Sequence, residues 1–535
     1  MDIQKIQNTY LPSGTFPKKE GNLLVFSQNE NELKETIHRL YGKEGLRLKT
    51  ISCVDMLRDS GVFRIYYIFA LPAEALAKAG VPEENVFLAP YFETKKEFPS
   101  FTPDFQEFSA YEREIKTMFG LEPVGHPDPR PTVLHANWPK DKYPLRKDFP
   151  WNERPKTAEG KPYRFNTVEG EGVYEIPVGP VHAGIIEPGH FRFSVLGEEV
   201  LLLDPLLGYV HKGSEKLFEH LPLDKKIKLS ERISGDSSFA HSLAFCQALE
   251  SLSDSIVPEK HQLLRVVFAE LERIANHFND IGFIMLDTAF SFGGANGARL
   301  REKIMHWNER ITGSRFLRGV NVIGGVTRDI PIEKKTMLLS DIPKIFKDFN
   351  EMIAIAEQSH SLHNRLTGTG FLSNEIIRDF GVIGIPARAS GIKIDARRDH
   401  PYAAYDKLQF SISTRETSDV HARLKIRVLE VFESFRLIEE ALRKLENGES
   451  QRLPEIKKDA SFRKNSFAVS VVEGWRGDIV YFVATDMNGE ITRVKVRDTS
   501  FLNWQAFPTT VKGEMVPDFP LINKSFNLSY SGHDL

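Results

Sequence analysis

The first 150 residues alternate short apolar runs with polar segments, in the manner of a small α/β unit. Two runs of apolar, β-branched and aromatic residues, 23–26 and 62–69, predict strands, and residues 32–40 between them predict a short helix. A second helix is predicted from Asp104 to Met118, with Gly120 as its stop. Its apolar side is formed by Phe105, Phe108, Tyr111 and Ile115.

Prolines interrupt the chain repeatedly between residues 123 and 163. Because proline removes a helical hydrogen bond and fixes φ, this stretch predicts extended chain that joins two domains. We therefore place an N-terminal α/β domain at residues 1–150, an extended linker at 151–173 and a second domain at 174–535.

The second domain opens with a strand-like stretch at about Tyr174 and then carries apolar residues at helical spacing. One long helix is predicted with Pro258 in its first turn, and another follows Asp419 and stops at Gly448. Two such helices predict a central helix bundle.

Small β elements complete the second domain. Residues 479–484 and 491–496 flank Asp486-Met487-Asn488-Gly489, which is a hairpin signature. The predicted fold class is α+β: an α/β domain followed by a mainly α-helical domain with a central bundle and small β elements.

Charge and hydropathy exclude two roles. The 70 Lys and Arg residues against 73 Asp and Glu residues give a net charge of −3, so nucleic acid is not an expected partner. No run of about 18 apolar residues is present, and the start lacks a signal-peptide pattern. We expect a cytoplasmic chain that does not cross a membrane by itself.

The cysteine count limits the redox chemistry of this chain. Cys53 and Cys246 are the only cysteines, and two thiols cannot hold a four-cysteine iron–sulfur cluster. Any such cluster must therefore belong to a partner chain. Cys246 lies in an apolar helical run and is predicted to be a buried structural thiol.

General catalytic motifs are scarce. The glycine-rich stretch 293–297 does not follow a strand, so it predicts a turn instead of a dinucleotide loop. The charged stretch 397–400 is interpreted as a solvated loop. Stretches 179–182 and 187–193 stand out, because they place glycines and polar groups in an otherwise apolar region.

Three motifs in the N-terminal half resemble the 30 kDa subunit of respiratory complex I. They occur in order within about 40 residues, which makes the signal strong. They are Tyr111-Glu112-Arg113-Glu114 with Met118-Phe119-Gly120-Leu121, then Gly125-His126-Pro127-Asp128, then Tyr143-Pro144-Leu145-Arg146-Lys147-Asp148-Phe149.

The rest of the chain is similar to the 49 kDa subunit of complex I, as in the fused C/D form of NADH-quinone oxidoreductase. It is also similar to the large subunits of group 4 nickel–iron hydrogenases, including those of formate hydrogenlyase and hydrogenase 4. The matching stretches are Gly208–Gly213, Glu272–His277, Thr312–Arg315, Ala387–Gly391, Pro401-Tyr402, Tyr405-Asp406 and Arg476-Gly477. The resemblance covers nearly the whole chain and implies a helix-bundle large subunit.

The resemblance also implies where a metal would bind, and this sequence departs from the pattern. Nickel–iron hydrogenases bind their metals through two cysteine pairs. The aligned positions read Ser234, Ser237, Ser529 and Gly532. Because hydroxyls are hard, weakly acidic donors and glycine offers none, we expect no nickel–iron centre and no hydrogenase activity.

A quinone-reducing role stays open as an alternative. In the complex I branch a histidine and a tyrosine hold the quinone head group, and these positions fall near Ile186-Glu187 and near Gly235. Glu187 stands where the hydrogenase branch carries a proton-transfer glutamate. His182 is a weaker candidate for the quinone site, with loop orientation as its alternative role.

Three functional hypotheses follow from the resemblance. The chain is a redox-silent large subunit of an energy-converting complex, a subunit that passes electrons to quinone or another small acceptor, or a purely structural scaffold. Glu187, His241 and Arg388 are the candidate proton-relay or cavity residues. Their structural alternatives are a turn carboxylate, a core histidine and an arginine paired with a carboxylate such as Asp395.

The expected partners are those of such complexes. The resemblance implies a small iron–sulfur subunit, a ferredoxin-like subunit and a membrane arm of antiporter-like subunits. We expect no cofactor in this chain itself, a cluster in the partner and a peripheral location on the cytoplasmic side of a prokaryotic inner membrane.

Overall fold

The computed structural model describes residues 3–12, 14–72, 76, 85–181, 186–445 and 460–535. Two predicted features, the helix stop at Gly448 and the candidate His182, lie outside these residues. Over the described residues the fold is α+β with small sheets, and the predicted fold class is confirmed.

The N-terminal domain is built on a five-stranded sheet in the order β1-β2-β5-β4-β3. Only β2 and β5 run parallel; the other neighbours are antiparallel. The strands are β1 (Lys18–Glu20), β2 (Leu23–Ser27), β3 (Leu48–Met56), β4 (Val62–Ala70) and β5 (Phe87–Thr94), followed by the short pair β6 (Glu97–Pro99) and β7 (Glu122–Val124). The helices are α1 (Ile3–Tyr10), α2 (Glu30–Ile37) and α3 (Ser109–Phe119).

The predicted strands and helices of this domain are present, with shifted helix bounds. The first helix, α2, begins at Glu30 instead of at residue 32 and continues from His38 to Lys43 as a π-helix. The second helix, α3, begins at Ser109 instead of Asp104, because Phe105 is extended (φ −140°, ψ 99°) and residues 106–108 form a 3-10 turn. It ends as predicted at Gly120, which adopts the left-handed conformation (φ 71°) that glycine favours.

The second domain contains more helix than strand. Its strands are β8 (Val173–Val178), β9 (His190–Leu196), β10 (Glu199–Leu206), β11 (Asn321–Val322), β12 (Gly325–Val326), β13 (Phe467–Glu473), β14 (Asp478–Thr485) and β15 (Ile491–Arg497). Its helices are α4 (Ser214–His220), α5 (Leu223–Ser230), α6 (Ser238–Ser253), α7 (Glu259–Asp287), α8 (Ser291–Thr312), α9 (Ile332–Glu357), α10 (His360–Leu366), α11 (Asn374–Asp379), α12 (Ile385–Ala389), α13 (Ala396–Asp399), α14 (Val420–Lys444), α15 (Thr499–Ala506), α16 (Phe519–Phe526) and α17 (Tyr530–Asp534).

The predicted bundle forms from α7, α8, α9 and α14, which pack side by side. Asp419 caps α14 as predicted, since its carboxylate accepts the Ala422 N–H at 2.8 Å. Pro258 lies at the N-cap of α7 instead of in its first turn. No described helix has the combination of length and apolarity that crossing a bilayer requires.

The turn predicted at residues 293–297 is wrong, because these glycines lie inside α8. They allow α7 and α8 to approach closely. A Cβ on Gly297 would stand 2.6 Å from the Cα of Gly282 and 2.7 Å from the carbonyl oxygen of Phe278. The glycines therefore serve helix–helix contact instead of a loop.

The solvated loop predicted at residues 397–400 is also wrong at two of its positions. Arg397 and His400 are buried, and Arg397 pairs with Asp395 at 2.7 Å and with Glu270 at 3.1 Å. Buried carboxylates attract the guanidinium inward, which a charge run in a sequence does not reveal.

The two domains share apolar contacts. The sheet β13-β14-β15 lies against the N-terminal sheet, so that Tyr66 and Phe87 belong to one core with Val471 and Phe482. Cys246 is buried as predicted. Because α6 covers the other side of the terminal sheet, β14 is buried along its whole length.

Candidate functional site

Three of the four positions aligned with metal-binding cysteines meet in one polar cluster. Ser234 Oγ lies 2.9 Å from Ser529 Oγ, although 295 residues separate them in the chain. Ser234 and Ser237 donate hydrogen bonds to Asp236 Oδ1 at 2.7 and 3.2 Å. Arg476 donates to both oxygens of Asp236, at 2.8 and 2.6 Å. We call these five residues the serine cluster.

Three chain segments position the serine cluster. Ser234 and Ser237 lie in the loop before α6, and Arg476 lies in the turn between β13 and β14. Ser529 caps α17, since its hydroxyl accepts the Gly532 N–H at 2.9 Å. Serine is favoured at a helix N-cap, so the local sequence accounts for the orientation of Ser529.

The start of α6 is held by a carboxylate from α7. Glu272 accepts the N–H groups of Phe239 and Ala240, at 2.7 and 3.0 Å. The carboxyl group thus satisfies two of the N–H groups that the first turn of a helix leaves without intrahelical partners. The contact fixes the loop that carries Ser234 and Ser237 against the central bundle.

The charge of the cluster is that of an ion pair. Burial opposes ionisation of Asp236, but the Arg476 charge and its hydrogen bonds outweigh it and hold the pKa of Asp236 below its ordinary value. The guanidinium of Arg476 also lies 3.9 Å from the ring centroid of Trp475. The cluster thus presents a fixed ion pair among three hydroxyls.

The fourth aligned position, Gly532, lies in close contact with the side chain of Asp498. A Cβ on Gly532 would stand 2.7 Å from Asp498 Cγ, shorter than real Cβ contacts allow. Asp498 is itself fixed, because it accepts the Ser500 N–H at 2.7 Å and hydrogen-bonds to His241 Nε2 at 3.0 Å. The other ring nitrogen of His241 lies 3.1 Å from the Tyr481 hydroxyl.

His241 is therefore a fully buried histidine with a partner on each ring nitrogen. Nε2 lies within hydrogen-bond distance of Asp498, and Nδ1 lies within hydrogen-bond distance of the Tyr481 hydroxyl. The hydrogen bond from His241 and the nearby Arg476 charge oppose burial and hold the pKa of Asp498 well below its ordinary value.

Glu187 reaches the same C-terminal segment from the other side. Its Oε2 accepts the Ser531 N–H at 2.9 Å, and Ser531 Oγ lies 3.3 Å from Ser529 Oγ. Glu187 is half-buried. The structure thus brings Glu187 and His241 to residues 529–532, next to the serine cluster.

Arg388 lies in a different buried cluster. Its Nη1 donates to Glu473 at 2.8 Å, its Nε lies 2.8 Å from Glu430 Oε1, and Asp395 is 3.9 Å away. The arginine–carboxylate cluster comprises Glu270, Arg273, Arg388, Asp395, Arg397, Glu430 and Glu473.

The three candidate relay residues therefore occupy two places. In the described part of the chain, no hydrogen bond or ion pair connects Arg388 directly to Glu187 or His241. The pairing of Arg388 with carboxylates is the alternative that the sequence left open. In a low-dielectric interior, such pairing determines where an arginine can lie. His182, the weak quinone candidate, is outside the described residues.

Sequence reasoning missed three residues of this site: Asp236, Arg476 and Asp498. Two signals were available. Asp236 stands between the two serines, and Arg476 belongs to one of the matching stretches. The contact between Asp498 and Gly532 joins segments 34 residues apart and has no signal in a single sequence.

The fold joins an α/β domain to a mainly helical domain, and family comparisons identify both. The family of the respiratory-chain NADH dehydrogenase 30 Kd subunit matches residues 26–155, and that of the 49 Kd subunit matches residues 287–534. The chain carries these two complex I-type domains fused in one polypeptide.

Curated relatives extend over almost the whole chain. Formate hydrogenlyase subunit 5 of Escherichia coli is 33% identical over 96% of this chain and 89% of its own length. Hydrogenase-4 component G of the same organism is 33% identical over 94% of this chain and 86% of its own length. The C/D subunit of NADH-quinone oxidoreductase from Phocaeicola vulgatus is 30% identical over 79% of this chain and 84% of its own length. The chain belongs to this family of fused 30 kDa/49 kDa complex I-like large subunits.

Proposed function

We propose that this chain is the large subunit of a membrane-associated, energy-converting oxidoreductase complex and that it lacks a nickel–iron centre. The serine cluster carries the proposal. Its three hydroxyls replace thiolates, and the guanidinium of Arg476 lies 3.3 Å from Ser237 Oγ and 3.5 Å from Ser234 Oγ.

The donor set of the serine cluster does not fit nickel and iron. These metals need soft, anionic thiolates in this setting, whereas neutral hydroxyls are hard donors. Asp236 is the anionic donor of the cluster, and both of its oxygens already bind Arg476. A side chain at Gly532 would collide with Asp498, so no fourth ligand fits there without rearrangement. The proposed chemistry therefore routes no step through a metal in this chain.

We infer that redox cofactors belong to partner subunits. Both cysteines of this chain are buried, and burial raises the pKa of each thiol. The relatives are named as subunits of hydrogenlyase, hydrogenase and oxidoreductase complexes. A small iron–sulfur subunit, a ferredoxin-like subunit and an antiporter-like membrane arm are the proposed partners. The proposed location is the cytoplasmic face of a prokaryotic inner membrane.

Proton coupling is the proposed task of the site itself. Glu187 is a half-buried carboxylate beside the serine cluster, and general acid–base groups accelerate proton transfer by about 10²–10⁴-fold. Its contact with the Ser531 N–H ties its position to the C-terminal helix. Asp498 packs against Gly532 of this helix, and its hydrogen bond to His241 holds it in place.

Extraction of the native complex tests the subunit assignment. Iron–sulfur protein and antiporter-like subunits should co-purify with the chain, and metal analysis should find no nickel. About one nickel per chain, or a monodisperse chain without partners in the native membrane extract, would contradict the proposal.

The proton role has its own test in the same complex. Glu187→Gln keeps the shape of the side chain and removes its charge, so turnover should fall about 10²-fold while assembly is unchanged. Glu198→Gln, an exposed glutamate in the turn between β9 and β10, is the matched control. If both variants turn over normally, the scaffold role is the better description.

Quinone reduction is the second candidate function. The match to NADH-quinone oxidoreductase subunits favours it, although Ile186, Glu187 and Gly235 stand near the positions of the quinone-holding histidine and tyrosine. Quinone that co-purifies stoichiometrically and is reduced by the complex would favour this candidate. If no quinone co-purifies and the complex does not reduce added quinone, this candidate is excluded.

A further inference from the structure

A cavity of about 710 Å³ lies between the two domains, away from the serine cluster. The N-terminal domain contributes lining residues between positions 41 and 49 and between 102 and 107. The second domain contributes residues from positions 377–384 and 392–399. The volume falls in the range of about 300–1,000 Å³ that small-molecule sites occupy, and domain interfaces are their usual location.

One corner of the cavity combines two aromatic rings with a buried carboxyl group. The rings of Tyr41 and Phe105 meet edge to face with centroids 4.8 Å apart. Glu107 is 5% exposed, and its Oε2 accepts the Tyr41 hydroxyl at 2.6 Å. In the described structure no other side chain or backbone group is hydrogen-bonded to this carboxyl. We call Tyr41, Phe105 and Glu107 the aromatic–carboxyl corner.

The second domain closes this corner from the opposite side. Gly381 has a positive φ of +61°, and a Cβ there would stand 2.2 Å from Glu107 Cδ. The carboxyl group of Glu107 therefore lies directly against the backbone of the α11–α12 connection. The corner exists only because the two domains meet, which makes it a composite site.

Two buried cations of the cavity share one carboxylate. Lys49 and Arg497 both pair with Asp478, at 2.9 and 2.7 Å. Arg47 and Arg378 are exposed at the rim. Seven carboxylates and four basic side chains line the cavity in total. Of the lining carboxylates, Asp395 and Glu473 are paired with Arg397 and Arg388. Among the described ion pairs none supplies Glu107 with a cationic partner, so its carboxyl group is the buried one that a ligand can pair with.

Apolar side chains make up much of the remaining wall. They come from both domains and include Leu46, Leu48, Val382, Ile392 and Ile394. Their presence favours a ligand with an apolar body over a bare ion, because burial of apolar surface contributes about 25 cal/mol per Å².

We propose that the interdomain cavity binds an organic ammonium ion, with its charged nitrogen at the aromatic–carboxyl corner and its apolar body against the aliphatic wall. Aromatic faces attract ammonium groups through their quadrupoles, and a carboxylate adds a charge-assisted hydrogen bond. Such a ligand contacts both domains at once, so its binding stabilises their association.

Three probes of one shape test the charge preference. Phenethylamine, 2-phenylethanol and phenylacetate share a body and differ in carrying a cation, a hydroxyl or an anion. Binding is measured by calorimetric titration of the purified chain or its complex at pH 8. This pH is above the pKa of about 7 to which burial raises Glu107, so the carboxyl group is ionised. The amine should bind saturably and at least about tenfold more tightly than the other two.

Variants locate the binding. Glu107→Gln keeps the shape and the hydrogen bond from Tyr41, and it should reduce the preference for the amine to about twofold or less. Phe105→Leu should weaken amine binding as a second, independent variant. Glu35→Gln, an exposed glutamate on α2, is the control that should change nothing.

Several outcomes would overturn the proposal. Equal or tighter binding of phenylacetate would show that the rim arginines select an anion. Amine binding that is unaffected by both Glu107→Gln and Phe105→Leu would place the ligand elsewhere. No saturable binding of the amine at millimolar concentration would mean that the cavity is not an ammonium site.

Discussion

The contact between Gly532 and Asp498 predicts that a single methyl group destabilises the protein. A Cβ at position 532 would stand 2.7 Å from Asp498 Cγ and 2.9 and 3.0 Å from its two oxygens. Helix propensity alone predicts the opposite, since alanine is about 1 kcal/mol better than glycine inside a helix such as α17. Gly532→Ala therefore separates the two effects by sign.

The cost follows from how firmly Asp498 is held. If it stays in place, overpacking costs about 1–3 kcal/mol. If it moves, α15 loses an N-cap worth about 0.5–2 kcal/mol and His241 loses a charged hydrogen bond worth about 1.5–3 kcal/mol. After the gain of about 1 kcal/mol in propensity, we expect a net loss of up to about 2 kcal/mol if Asp498 stays and of about 1–4 kcal/mol if it moves.

Thermal unfolding measures this loss. With about 2.1 cal/mol/K of unfolding entropy per residue, the 535 residues contribute about 1.1 kcal/mol/K, so the midpoint should fall by up to about 4 °C if the chain unfolds as one unit. Gly235→Ala is the matched control, because its Cβ would find only Arg318 Nη2, at an ordinary 3.6 Å. A Gly532→Ala midpoint at or above the wild-type value would refute the reasoning.

Three further predictions concern the buried framework. Arg388→Met should cost about 3–5 kcal/mol of stability, because Glu430 and Glu473 lose a buried partner, and adding Glu473→Gln should recover part of that loss in urea unfolding. Burial raises the pKa of Glu107 to about 7, above about 4.3 in the unfolded chain. Because the folded chain then holds a proton that the unfolded chain releases, the free energy of unfolding should fall by up to about 3 kcal/mol as the pH rises from 5 to 8. Glu107→Gln should remove that part of the decline. Gly297→Ala should lower the unfolding midpoint by forcing α7 and α8 apart; a rise of the kind helix propensity predicts would contradict this close contact.

Local patterns determined most of the elements. The strands β2 and β4, the helix α3 with its stop at Gly120, and the terminal hairpin follow from residue spacing and turn residues that act over a few positions. Asp419 starts α14 because its own side chain caps the helix. Residue spacing, turn residues and helix caps act between neighbours in the chain, so they can be predicted from the sequence.

The predictions from glycine and charge patterns were wrong where residues distant in the sequence determine the local structure. Residues 293–297 were predicted as a turn, yet they lie in α8 because Gly282 of α7 comes within contact of Gly297. Arg397 was interpreted as solvated, yet it is buried with Asp395 and Glu270. In both cases the deciding partner comes from packing that residue spacing does not show.

The candidate site divides in the same way. The sequence alone supplied the serines at the aligned ligand positions and singled out Glu187 and His241, since residue identity is read directly. Only the tertiary structure showed that Arg476 and Asp236 lie among those serines and that Arg388 lies in a separate cluster. Electrostatic pairing acts through space over a few ångströms, and the chain distances of such pairs, 240 residues for Asp236 and Arg476, leave no local pattern.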